Sequence, residues 1–122
     1  MEIVAFITTE LGDDLIVSFA VEEPGDPTEI RDLTLLRMVK YERRLPPEQR
    51  GVSVSFDRYL DDDDRDLLEE IRYSKTEGTV HLETRLYFYD LDVRKVHSEE
   101  LAAMCKVLRK MSRGGGFGCV GL

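Results

Sequence analysis

The sequence predicts an α+β domain, an antiparallel β-sheet of four to six strands with two helices at about residues 61–74 and 98–113. Three observations predict it. Short apolar runs alternate with a period of two, turn residues separate those runs, and one long run near the C-terminus has helical spacing. The chain has 122 residues, which is enough to bury a core. Residues 1–113 are expected to form this single domain, and residues 114–122 a Gly-rich tail.

The first half of the chain is predicted to be strands. The runs Ile3 to Thr8 and Leu15 to Val21 flank "LGDD", which predicts a β-hairpin. Residues 28–43 fit two structures. As a strand, the segment places its apolar residues on one face, interrupted only by Arg37; as a helix, it would start at Thr28 after Asp26 and Pro27. We favour the strand. That face carries Leu33, Leu35, Val39 and Tyr41.

The second half contains two more strand patterns and both helices. "VSVSFD" (52–57) alternates cleanly. Residues 79–96 predict one long strand in which Val80, Leu82, Leu86 and Phe88 face one way, with a bulge or bend near Asp90. Residues 98–113 begin with Ser98 and two glutamates, end with basic residues and Gly114, and carry an apolar stripe. In the 61–74 helix, consecutive aspartates fill the first turn. The end of the tail, "FGCVGL", is the one part that could instead form a short edge strand.

Composition and charge exclude several classes of function. The net charge of −8 argues against nucleic acid or an anionic membrane as a direct ligand, because both require a cationic surface. It permits a basic protein partner. The apolar runs are too short to span a bilayer and no signal peptide is evident, so the expected location is the cytoplasm.

No metal, cofactor or catalytic motif is predicted. Residues 57–70 contain eight acidic and two basic residues, but an EF-hand register starting at Asp61 or Asp62 lacks the required glycine and final glutamate. His81 and His97 share no ligand spacing, and Cys105 and Cys119 match no thiol or zinc motif. "GGGFG" follows a helix, whereas a phosphate-binding loop precedes one.

The acidic segment, which we define as residues 57–70, is therefore the candidate binding site for a basic protein. Its carboxylates would imitate phosphate and accelerate association with that protein. The alternative explanation of the acidic residues is structural: they would stabilise the first turn of a helix. The candidate partner-binding residues are Asp57, Tyr59, Asp61, Asp62, Asp63, Asp64, Asp66, Glu69 and Glu70. Two alternatives stay open: a ligand-binding domain or enzyme using a sheet face with His81, Glu83, Arg85 and Tyr87, and a dimerising subunit.

One family resemblance covers residues 13–83. The succession "DDLIVSFAVEE", "LTLLR", "GVSVSFD" and then an acidic stretch leading to "LEEIRYSKTEGTVHLE" resembles the strand order of small bacterial immunity proteins of polymorphic toxin systems. The resemblance implies a non-enzymatic protein that binds and blocks a toxin, such as a nuclease. It transfers no binding residue by position.

Overall fold

A computed structural model describes residues 1–56 and 66–122, and within them the chain forms eight β-strands and one α-helix. The strands belong to one sheet with the order β4-β3-β2-β1-β7-β6-β5-β8. Most neighbours are antiparallel, but β1 pairs with β7 and β5 with β8 in parallel. The bounds are β1 Glu2–Leu11, β2 Asp14–Glu23, β3 Asp26–Met38, β4 Ser53–Phe56, β5 Leu68–Ser74, β6 Thr79–Thr84, β7 Phe88–Asp92, α1 Ser98–Ser112 and β8 Gly118–Val120.

The predicted fold class is therefore wrong in two respects: the sheet has eight strands and is mixed, and α1 is the one α-helix in the described residues. The helix predicted at 61–74 fails over its described part, because residues 68–74 form β5. A β-bulge between Leu68 and Glu70 explains the error. It places Leu68 and Ile71 on the same buried face three residues apart, a spacing that imitates a helix.

The remaining predictions of strands and helices are confirmed only in part. β1 and β2 form the hairpin, and residues 26–38 are a strand, so the helical alternative from Thr28 is wrong. That strand ends earlier than expected, because Val39–Arg44 turns into a 3₁₀ helix and leaves Val39 and Tyr41 exposed. α1 begins and ends within one residue of its predicted bounds. The predicted long strand at 79–96 is instead two strands, β6 and β7, joined by a tight turn.

The sheet curls until its two halves meet. β4 lies at one edge of the strand order, yet the Val54 amide donates to the Asp66 carbonyl (3.0 Å) and the Leu68 amide to the Val52 carbonyl (2.9 Å), at the start of β5. The core lies inside this curl and continues onto α1, whose Met104, Val107, Leu108 and Met111 are buried in it. The inside of the curl is thus filled by apolar side chains.

Buried Arg37 fixes the end of α1 to β3. Its guanidinium donates to the carbonyl oxygens of Met111 and Arg113 (2.7 Å each) and of Gly114 (3.3 Å), and it pairs with Glu42 (2.9 Å). These bonds satisfy carbonyls that a helix end leaves without a partner.

No helix in the described residues is long and apolar enough to cross a membrane.

Candidate functional site

The acidic segment lies mostly outside the described residues, which include Asp66, Glu69 and Glu70 but not Asp57, Tyr59 or Asp61 to Asp64. Asp66 is buried, with 8% of its surface exposed, and its carboxylate accepts a hydrogen bond from the Leu86 amide at 3.2 Å. Glu69 is exposed, and Glu70 lies 3.2 Å from the Arg72 guanidinium. Asp66 therefore stabilises the fold, while the two glutamates lie nearer the surface.

The residues on either side of positions 57–65 are both fixed near the turn between β6 and β7. On one side, the Phe56 ring stacks on the Tyr89 ring with 5.8 Å between centroids. On the other side, Asp66 holds the Leu86 amide, and the Arg85 amide donates to the Leu67 carbonyl at 3.0 Å. Residues 57–65, which have a net charge of −3, join these two anchored residues in the sequence.

That turn exposes three consecutive apolar side chains. Leu86 is 52% exposed, Tyr87 39% and Phe88 78%. The Thr84 hydroxyl oxygen accepts hydrogen bonds from the amides of Leu86 (3.3 Å) and Tyr87 (2.9 Å), which makes the turn tight. The sequence pattern placed Leu86 and Phe88 on the same strand face as Val80 and Leu82, which are buried. The chain reverses its direction at this turn, between β6 and β7. The reversal, and not a bulge or bend near Asp90, causes the shift in the alternation of apolar residues.

Phe88 separates two solvent-open depressions on the sheet. One, of about 350 Å³, lies over β5, β6 and β7. We call its charged and aromatic surface the β7 face. It consists of Glu70, Arg72, His81, Glu83, Phe88 and Asp90.

The second depression, of about 320 Å³, contains Arg31 and an aromatic row. The Arg31 guanidinium lies 4.8 Å from the centre of the Phe56 ring and is paired with Glu2 (3.4 Å) and Glu23 (2.7 Å). Phe56 stacks on Tyr89, which meets Tyr87 at 6.1 Å. Because the charge of Arg31 is matched by two carboxylates, this depression offers an anion little attraction.

The four residues of the predicted ligand or catalytic face do not converge. His81 and Glu83 lie on the β7 face, where the His81 imidazole is hydrogen-bonded to the Asp90 carboxylate. The Arg85 guanidinium points elsewhere, donating to the Glu48 carbonyl at 2.8 Å, and Tyr87 belongs to the second depression. The His81–Asp90 pair resembles part of a catalytic triad, but the depression around it is lined by no Ser, Thr or Cys from the described residues.

The described residues include no group of three or more His, Cys, Asp or Glu side chains placed to hold a metal ion. Comparisons with protein-family models, curated proteins and solved structures find no match to this chain. The site is therefore interpreted from its own geometry and charge.

Proposed function

We propose that this chain is a non-enzymatic binding protein for a basic protein, in the manner of an immunity protein that neutralises a basic toxin or nuclease. The observation that supports this most is the position of the residues on either side of positions 57–65. Phe56 stacks on Tyr89, and Asp66 accepts a hydrogen bond from Leu86, close to where Leu86, Tyr87 and Phe88 are exposed. Residues 57–65, which carry five carboxylates in the sequence, are therefore joined at both ends to residues near these exposed apolar side chains.

These two components have different physical roles in binding. Exposed aromatic side chains supply buried area and specific contacts, and they are enriched among the residues that dominate interface energies. A dense set of carboxylates attracts a cationic partner and raises the association rate, an effect that salt screens. The unequal charge distribution fits this division, since residues 57–70 have a net charge of −6 while residues 94–113 have +4.

The test starts by capturing the partner from the native cell with the tagged chain and identifying it by mass spectrometry. The purified partner is then measured by surface plasmon resonance against wild type and a D61N/D62N/D63N/D64N variant. We expect a basic partner whose association slows at least tenfold in the variant. A matched control neutralises four exposed acids elsewhere: E10Q/D13N/E29Q/E48Q. A neutral or acidic partner, or equal rates for both quadruple variants, would contradict the proposal.

A further inference from the structure

Phe88 occupies an unusual position for an aromatic residue in a strand. It is 78% exposed, the highest value for a large apolar side chain in the described part of the chain. It stands on the outer face of β7, directly opposite Glu83 of β6 in the ladder. An exposed ring of this kind is available to a partner and contributes little to the core.

Two acidic residues are neighbours of Phe88 on the outer face of the sheet. Glu83 is directly opposite Phe88 in the ladder, where the Cβ atoms of paired residues lie about 4.5–5.5 Å apart. Asp90 lies two residues along the same strand, and therefore on the same face. Within the described ranges, neither of these two carboxylates forms an ion pair with an Arg or Lys, although Asp90 is bonded to His81.

The β7 face already holds one guanidinium of its own. Arg72 is 3.2 Å from Glu70, at the side of the depression formed by β5. With three acids and one Arg, the face has a net charge of −2 when His81 is neutral. The surplus of negative charge is located around Phe88.

We propose that the β7 face binds an arginine or lysine side chain of a basic protein partner. The cationic group lies over the Phe88 ring, which attracts it through its π-system, and is paired with Glu83 and Asp90. This inference rests on the proposed function and identifies the side-chain chemistry that the binding surface recognises. Charge complementarity selects this occupant over a second copy of the chain. A symmetric dimer through this face would oppose Glu83 and Asp90 with the same carboxylates.

The experiment titrates the isotopically labelled full chain with the tripeptide acetyl-Gly-Arg-Gly-amide and follows backbone amide shifts by NMR. We expect saturable shifts at residues 81–83 and 88–90. The variant F88L keeps the side chain apolar but removes the ring, and we expect it to weaken binding about two- to fivefold. F6L, which removes an exposed ring from β1, is the matched control and leaves the affinity unchanged. The neutral citrulline tripeptide should produce no saturable shift at the face.

Four results would overturn the inference. The first is equal affinity of F88L and wild type, and the second is a citrulline tripeptide that binds as well as the arginine one. The third is a set of shifts confined to residues 57–65, which would leave the proposed function standing but move the recognition of the cation away from the β7 face. Shifts at the face that depend on the concentration of the chain alone would show a second copy as the occupant, and would also overturn it.

Discussion

Replacing Arg37 with methionine should lower the free energy of unfolding by about 3–5 kcal/mol, the range for breaking a buried ion pair. The Arg37 side chain is 6% exposed and that of Glu42 16%. Methionine keeps most of the apolar stem but removes every donor. Glu42 then loses its bidentate partner, with bonds of 2.9 and 3.0 Å, and the carbonyls at the end of α1 lose theirs.

The groups that R37M leaves without a partner give a second estimate of this loss in unfolding free energy. A buried polar group left without a partner costs about 1–3 kcal/mol. Met111 is buried, whereas Arg113 and Gly114 are exposed, so water can replace the guanidinium at the latter two. One buried carbonyl together with the isolated Glu42 carboxylate gives a total within the same range.

Urea unfolding followed by circular dichroism measures this loss. A double-mutant cycle with E42Q isolates the coupling between the two side chains, because E42Q removes the charge but keeps the size. A loss below about 1 kcal/mol for R37M, or the absence of coupling in the cycle, would refute the interpretation of Arg37 as the link between β3 and the end of α1.

Three further predictions follow from the described contacts. The hydrogen bond from Arg37 is the largest cause of the lowered pKa of Glu42, so the ionised carboxylate stabilises the fold above its ordinary pKa of 4.5, and this stabilisation is lost as pH falls through the lower folded pKa. The difference in unfolding free energy between wild type and R37M should therefore become smaller below about pH 4.5. A difference that stays constant with pH would contradict this prediction. G121A should lower the free energy of unfolding more than G116A, because both glycines have positive φ but only at Gly121 would an added Cβ collide with the Tyr73 carbonyl. In urea unfolding we expect G116A to lower it by about 1–3 kcal/mol and G121A to lower it further. Equal effects of the two substitutions would exclude the collision. The Glu100 carboxylate accepts a hydrogen bond from the buried Ile7 amide at 2.7 Å, so E100A should cost about 1–3 kcal/mol and E100Q, which retains an acceptor, clearly less in the same assay.

The sequence predicted the elements whose patterns are local. The β1–β2 hairpin has clear turn chemistry, and α1 has an acidic first turn, a basic last turn and an apolar stripe. β5 was missed because a bulge gave its buried residues a helical spacing. The parallel pairings of β1 with β7 and of β5 with β8 join segments far apart in the chain, and no local pattern encodes them.

The candidate site was predicted in part. The charge of the acidic segment is a property of the sequence, but the burial of Asp66 depends on a turn twenty residues later. Phe88 was expected on the strand face of Val80 and Leu82, because it continues their apolar alternation. Only the reversal of the chain between β6 and β7 makes it an exposed residue opposite Glu83.

The central claim is that this chain binds a basic protein through charge and the β7 face, and the salt dependence of the association rate tests it most directly. The captured partner is measured by stopped flow between low and physiological ionic strength, against wild type and F88L. We predict that the association rate with the partner falls steeply with added salt for wild type and for F88L. We also predict that the partner dissociates faster from F88L than from wild type. An association rate independent of salt would contradict the claim.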